Sequence, residues 1–332
     1  MRPGIDSQHP ACYTDSVKNI QAIIKERTLA APGCIDDIKP YVDEIRARYG
    51  DRVLGVYMYG SVLSAVTCTE TSFPDFFVIT DGYRGVFRKW SHRLLAYFLP
   101  PHIYHLRLDK KRRCKYNLVS LRRFRRECSK RAKDIYILGR FGKRVALVYH
   151  RDEKARDELV GCCFSAMRHV VTWTLRGMKY RFDEEEFTLN CLNLSYAGET
   201  RVEASSKVPK LFQSEKPFYL EIYPALLRKN PLALDGSNGE YQLQGNSWLR
   251  GWRRFRFRMF LKRSRIRGIL RWPKFLVTVD EWVDIILAKI ERSKGIKLDV
   301  TERQRRHPII FGWPHFFRLL RSGAIRSKKK ID

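Results

Sequence analysis

Four residues in the first quarter of the chain have the types needed to hold a phosphate beside a metal ion. Gly60 and Ser61 end the run Tyr57-Met-Tyr-Gly-Ser-Val62, and two acids bracket a second run, Pro74-Asp75-Phe-Phe-Val-Ile-Thr-Asp81. A glycine lets backbone N–H groups approach an anion, and the serine adds a hydroxyl. Asp75 and Asp81 are the candidate metal ligands, because a hard divalent cation takes carboxylate oxygens together with substrate phosphates. That is the layout of a nucleotide-transfer site. The same residues also fit a turn between two buried strands with polar ends, and Asp81 alone fits as the cap of a following helix.

The elements that would position these residues follow from hydropathy. Apolar Val17, Ile20, Ile23 and Ile24 predict a helix over 15–29, and a second helix is expected over 35–49, ended by Gly50. Residues 52–59 read as a buried strand, 64–74 as a loop, and 76–80 as a central strand covered on both faces. A helix is expected over 83–98, a strand over 115–121 and a short basic helix over 121–130. Residues 134–149 read as two apolar strands joined at a glycine turn. Helical spacing resumes at 152–175 and again at 183–194, where an acidic first turn suits the positive end of a helix. Residues 195–201 read as a turn and 230–247, rich in Asn, Gly, Ser and Gln, as a linker. A helix is expected over 279–290.

The chain has 332 residues and a formal net charge of +30, with 44% hydrophobic residues. Wholesale disorder is excluded, and the charge points to polyanionic partners: nucleic acid, an anionic bilayer or nucleoside triphosphates. The eight cysteines form no CxxC pair and read as reduced, structural thiols, with the vicinal Cys162-Cys163 on a core face. His92, His102 and His105 lack a zinc-ligand pattern. The first residues lack the apolar core of a signal peptide, and Asp6 and Asp15 argue against a transit peptide. The expected setting is therefore cytoplasmic, peripheral to the inner face of the cell membrane.

Gly-Ser at the end of one strand and an acid on the next resembles the nucleotidyltransferase fold of the DNA polymerase β superfamily. That pattern usually has two acids one residue apart, whereas here Phe76 and Phe77 follow Asp75. A closer resemblance runs through five blocks in order: Tyr59-Gly-Ser61, Asp75-Phe-Phe-Val-Ile-Thr-Asp81, Lys115-Tyr-Asn-Leu-Val-Ser120, Ile135-Tyr-Ile-Leu-Gly-Arg-Phe-Gly-Lys143 and Leu194-Ser-Tyr-Ala-Gly-Glu-Thr-Arg201. In these the chain resembles the mitochondrial translocator-assembly-and-maintenance family of CDP-diacylglycerol synthases (phosphatidate cytidylyltransferases). Val62, Gly82 and Glu199 depart from the family's second loop glycine, second acid and aspartate.

The resemblance implies cytidylyl transfer from CTP to phosphatidate with Mg²⁺. It implies Asp75 and Asp81 as metal ligands, with Lys115 and Glu199 as further catalytic residues. Tyr59, Gly60, Ser61, Arg140, Lys143, Tyr196 and Arg201 are implied to bind the nucleotide. The fold expected is α+β: a nucleotidyltransferase-fold domain at 15–150, a helical, winged-helix-like domain at 151–229, the linker, and a basic amphipathic carboxy-terminal region at 248–332. No acid occurs between Glu240 and Asp280, where arginines and lysines alternate with aromatic residues. Trp248, Trp252, Phe255, Met259 and Ile266 fall on one helical face, as an interfacial helix on an anionic membrane surface requires. Nucleic acid is the less favoured partner for this segment. The alternatives are a nucleotidyltransferase acting on RNA or another polyanion, and a non-catalytic nucleotide-binding module.

Overall fold

The computed structural model describes residues 10–64, 73–109, 112–199, 207–236, 239–278 and 301. Helices α1 (Pro10–Leu29) and α2 (Ile35–Tyr49) lead into strand β1 (Val53–Tyr59) and the one-turn helix α3 (Ser61–Ser64). Strand β2 (Asp75–Thr80), helix α4 (Trp90–Phe98), and strands β3 (His102–Arg107) and β4 (Arg113–Ser120) follow. Helices α5 (Leu121–Glu127) and α6 (Ile135–Phe141) precede strand β5 (Ala146–His150) and the long helix α7 (Glu153–Gly177). Then come β6 (Arg181–Phe182), α8 (Glu184–Ala197), α9 (Lys207–Ser214) and α10 (Lys216–Arg228). Strands β7 (Ala233–Asp235) and β8 (Tyr241–Leu243) lead to helix α11 (Ser247–Thr278). The fold is mixed α+β, as expected. The expected helix at 279–290 and the basic tail lie outside the described residues.

The main sheet has the order β3-β4-β2-β1-β5. Only β2 and β4 run parallel; the other neighbours are antiparallel. Both faces are covered, which is why β2 reads as an unbroken apolar run. Phe76 and Val78 join Tyr41, Ile45 and Tyr116 beneath α2 and α4. Phe77 and Ile79 face the other way, into a cluster that continues without a break through α6, α7, α8 and α10 to Phe257 and Phe260 of α11. Cys128, Cys162, Cys163 and Cys191 lie in that second cluster and Cys114 in the first, all as free thiols. Burial pushes Cys114, Cys162 and Cys163 up to about 12, so they are inert packing groups. His102 is buried against Phe87 with burial pulling it down to about 2, so it stays neutral and unavailable as a charge.

Several local expectations change. Helix α4 starts at Trp90 rather than 83, and Phe87 in the segment before it is buried. Residues 135–141 form a helix, not a strand: the Asp134 carboxylate accepts the Tyr136 N–H at 3.0 Å and caps it. Gly139 is a packing position rather than a turn, since a Cβ there would lie 2.6 Å from the Ser195 Cβ. Ser195, Tyr196 and Ala197 continue α8 instead of turning. The expected linker contains β7 and β8, which form a three-stranded sheet with β6; Tyr241 and Leu243 are buried, and the polar stretch between the strands connects a hairpin.

Helix α11 is bound into the molecule along its inner face. Phe260 stacks on Trp173 of α7 at 4.0 Å, and the Ser264 hydroxyl accepts the Ile135 N–H at 3.0 Å. Arg267 and Arg271 each donate to the buried Asp134 Oδ2 at 2.6 Å. Arg267, Arg271 and Lys274 also donate to the carbonyls of Phe98, Leu99, Pro100 and Pro101 at 2.7–2.9 Å. Burial alone would raise the Asp134 pKa, but the Arg271 and Arg267 guanidinium groups and their hydrogen bonds outweigh it and hold the carboxyl below its ordinary value. The stabilisation is therefore present above the unfolded carboxylate value of about 3.9 and is lost as pH falls through the lower folded value. Asp134→Ala would strand two guanidinium groups in the interior. It is expected to lower stability by about 3–5 kcal/mol at neutral pH, read by urea unfolding, with a smaller difference from the parent under acid.

Candidate active site

Strand register gathers the site. Tyr59 at the end of β1 is paired with Asp75 at the start of β2, and Asp75 with Lys115 of β4. The three side chains thus form one row across three neighbouring strands. Alternation puts them on the same face as Phe77 and Asn117, toward α6. Asp75 and Lys115 are each about one-third exposed, with Lys115 Nζ 4.0 Å from Asp75 Oδ1. Gly60 turns the chain at the end of β1 with φ of 91°, a left-handed conformation that disfavours a side chain, and a Cβ there would lie 3.3 Å from Asp75 Oδ2. Ser61 opens α3, but its side chain lies outside the described residues, as does all of Arg201.

Behind this row stands a buried polar chain. Asn117 Nδ2 donates to the Tyr59 hydroxyl at 2.6 Å, and the Tyr136 hydroxyl donates to Asn117 Oδ1 at 3.0 Å. Arg140 is hydrogen-bonded to the Tyr59 hydroxyl as well, and its guanidinium lies 3.6 Å from the centre of the Tyr136 ring. Burial, followed by the nearby Asp75 charge, holds the Tyr59 hydroxyl well above its ordinary pKa, so it is a neutral group. Arg140 Nη1 and Nη2 donate to the two carboxylate oxygens of Glu199 at 2.6 and 3.3 Å. Burial works against the Arg140 charge, but Glu199 outweighs it and keeps the guanidinium protonated. Lys143 Nζ sits 4.4 Å from the centre of the Tyr196 ring.

The structure thus brings Tyr59, Gly60, Asp75 and Lys115 to one end of the sheet, with Arg140, Lys143, Tyr196 and Glu199 on the adjoining helices and their ends. Two expectations are corrected. Asp81 does not join Asp75: β2 runs extended between them, which at roughly 3.3 Å per residue places them about 20 Å apart. Asp81 instead lies 3.6 Å from Arg52 at the opposite end of the sheet. Arg140 and Glu199 hold each other in a two-pronged pair linking α6 to the end of α8, so neither is an uncommitted phosphate clamp or acid–base group. Asn117 and Tyr136 were missed. Both lie inside the quoted sequence blocks, and a polar residue two positions after Lys115 in an apolar strand was the available signal.

Among the described residues no cluster of three or more His, Cys, Asp or Glu side chains could hold a metal unaided. The donor set still fits Mg²⁺, which keeps several waters and binds through one or two carboxylates plus substrate phosphates. Asp75 is the carboxylate in the row.

The model of the family described as mitochondrial phosphatidate cytidylyltransferase matches residues 96–245, less than half of the chain. No curated protein matches the chain. The matched span holds Lys115, Asn117, Tyr136, Arg140, Lys143, Tyr196 and Glu199, while Tyr59, Gly60 and Asp75 precede it and reach the same site through strand pairing. The chain is an enzyme of the nucleotidyltransferase class. Within that class it resembles the mitochondrial phosphatidate cytidylyltransferases, as its five sequence blocks imply. The expected cytoplasmic location at the inner face of the cell membrane is overturned, because the matched family is mitochondrial. Acidic residues near the first methionine were too weak a sign to exclude that compartment.

The Arg140–Glu199 pair has 12% and 10% exposed side chains, so breaking it on one side is costly. Arg140→Met is expected to destabilise by about 3–5 kcal/mol, and Arg140→Met with Glu199→Met by clearly less. A double-mutant cycle in urea, completed with the Glu199→Met single variant, reads the difference; a loss in the double variant equal to the sum of the two single losses would show that the pair is not coupled.

Proposed function

We propose that the chain is a Mg²⁺-dependent phosphatidate cytidylyltransferase with a nucleotidyltransferase-type fold, acting in phospholipid biosynthesis. It would convert CTP and phosphatidate to CDP-diacylglycerol and pyrophosphate. The observation that carries this reading is the row Tyr59–Asp75–Lys115, with a glycine turn at one side and the Arg140–Glu199 strut behind it. Asp75 would hold Mg²⁺, which when bound would supply charge neutralisation on the triphosphate. Gly60 leaves room for phosphate against the backbone, and the adjacent Ser61 is assigned to the same contact. Lys115 and Lys143 supply positive charge near the leaving pyrophosphate.

In the transfer, a phosphatidate oxygen forms a bond to the α-phosphorus of CTP as the bond to the β-phosphate oxygen breaks, and pyrophosphate takes the electron pair. A phosphate monoester is largely ionised at neutral pH, so no strong general base is needed. Alignment and charge stabilisation suffice. Arg140 and Glu199 act as positioning residues: they fix Tyr59 and Tyr136, which flank Asn117 behind the row. Slot geometry supports a single carboxylate. The position two residues after Asp75 is Phe77, fully buried with its ring 5.1 Å from both Tyr59 and Phe141.

A lipid substrate calls for contact with a membrane surface. No described helix is long and apolar enough to cross a membrane. The outer face of α11 supports peripheral association instead. Trp248, Trp252, Phe255, Met259, Ile266 and Leu270 are exposed along it. Arg256, Arg258, Lys262 and Arg263 are exposed beside them. Each such cation near an anionic leaflet contributes roughly 1 kcal/mol.

Purified protein with CTP, Mg²⁺ and phosphatidate vesicles is expected to release pyrophosphate. Asp75→Asn should abolish release, and Lys115→Ala should slow it by roughly 10²–10³-fold, the scale of losing one preorganised charge contact. A folded protein that turns over no nucleotide with this lipid would rule the reading out. Trp252→Glu with Phe255→Glu is expected to reduce sedimentation with anionic vesicles while leaving the urea midpoint near that of the parent. Unchanged sedimentation, or a gel shift with RNA of comparable affinity at the same salt, would count against the membrane assignment.

A further inference from the structure

At the far end of the main sheet from the Asp75 row, a cavity of about 630 Å³ opens between α4, the start of α5 and the connection after β2. Four arginines, Arg84, Arg93, Arg122 and Arg123, line it together with Trp90 and Tyr97. One acid, Asp81, also borders it, and that charge is matched by Arg52 at 3.6 Å. Among the described residues no carboxylate pairs with Arg84 or Arg122, and both are exposed. Arg123 is only 4% exposed, its Nε has no hydrogen-bond partner among the described residues, and its guanidinium lies 3.3 Å from the centre of the Tyr97 ring. Arg93 is held in place by donating to the Phe87 carbonyl at 2.9 Å.

A buried guanidinium with an unmet N–H is costly unless a ligand completes it, and its planar fork matches phosphate oxygens. Trp90, Leu94 and Tyr97 line the rest of the mouth and are exposed, an apolar and aromatic wall beside the arginines. The volume is that of a small-molecule site. Strand β2 separates this cavity from the row at Tyr59, Asp75 and Lys115, so the same ligand atoms cannot serve both ends.

We propose that this cavity is a second anion site, one that takes a phosphate ester carrying an apolar or aromatic group. The arginines hold the phosphate, and the aromatic wall takes the attached group. Such an ester has two sources, a lipid headgroup with its chains or a free nucleotide with its base. The inference does not depend on the transfer reaction at Asp75.

Titration calorimetry of the full chain, without Mg²⁺, tests it with three probes: dioctanoyl phosphatidate below its micelle concentration, CMP, and inorganic phosphate. At least one ester should bind more tightly than inorganic phosphate. Arg84→Glu with Arg122→Glu is expected to weaken that ester by about tenfold or more, while Lys115→Ala leaves it within about twofold. Trp90→Ala, at a position 71% exposed, should weaken the ester but not inorganic phosphate. Binding of dioctanoyl phosphatidate identifies a lipid source and binding of CMP a nucleotide source. No ester binding, binding unchanged in the arginine variant with its circular dichroism intact, or inorganic phosphate binding as tightly as either ester would overturn the proposal.

Discussion

The pairing register of β1, β2 and β4 is the constraint on which the site depends. Side chains alternate along a strand, so a slip of one residue would send Asp75 to the opposite face of the sheet from Tyr59 and Lys115. The register is pinned by what the same residues do further along. Phe76 and Val78 must enter the core beneath α2, and Phe77 and Ile79 must enter the core above it. Both sets are fully buried, so no alternative register preserves the packing. Burial of apolar side chains in the middle of β2 therefore fixes the position of a partly exposed carboxylate at its end. The same packing fills with Phe77 the slot that a second acid would occupy.

The polar chain behind the row depends on that register too. Asn117 is two residues after Lys115 and so shares its face, which lets its amide meet Tyr59 from β1 and Tyr136 from α6. Tyr136 is placed by the Asp134 cap, and Asp134 is in turn neutralised by Arg267 and Arg271 of α11. The far carboxy-terminal helix is therefore joined to the site by three consecutive polar contacts. Its docking onto the carbonyls of Leu99, Pro100 and Pro101 ties α6 to the chain just before β3.

Much of this was legible in the sequence, and the failures have physical causes. Gly60, Asp75, Lys115, Arg140 and Glu199 were singled out because they stand in short motifs, and the structure places all five near one end of the main sheet. Their convergence was not visible, since β1, β2 and β4 pair over long sequence separations. Asp81 was misread because a six-residue spacing says nothing about direction until the segment is known to be one extended strand. The stretch at 135–141 looked like a strand because its side chains are nearly all buried, and the helical cap at Asp134 was the overlooked sign. Gly139 and the Asn/Gly-rich residues after β7 show the same ambiguity. Glycine marks a close approach in one place and a hairpin in the other, and composition does not tell them apart.

Net charge was the least specific signal, and the structure explains why. The cations of α11 serve two opposite purposes on one helix. On the inner face, Arg267, Arg271 and Lys274 are desolvated and spend their hydrogen bonds on a buried carboxylate and on backbone carbonyls. Burial, then the neighbouring Arg271 charge, pulls the Lys274 ammonium well below its ordinary pKa, and the Leu99 and Pro101 carbonyls accept its hydrogen bonds. On the outer face, Arg256, Arg258, Lys262 and Arg263 flank exposed aromatic and aliphatic side chains. A sum over the sequence counts both sets alike, although only the outer set generates a field that a partner meets. Eleven basic residues without an acid therefore do not make one uniform polycationic rod of the kind nucleic acid favours. They make a helix that is a structural brace on one side and an amphipathic surface on the other, and the division between them follows the 3.6-residue repeat.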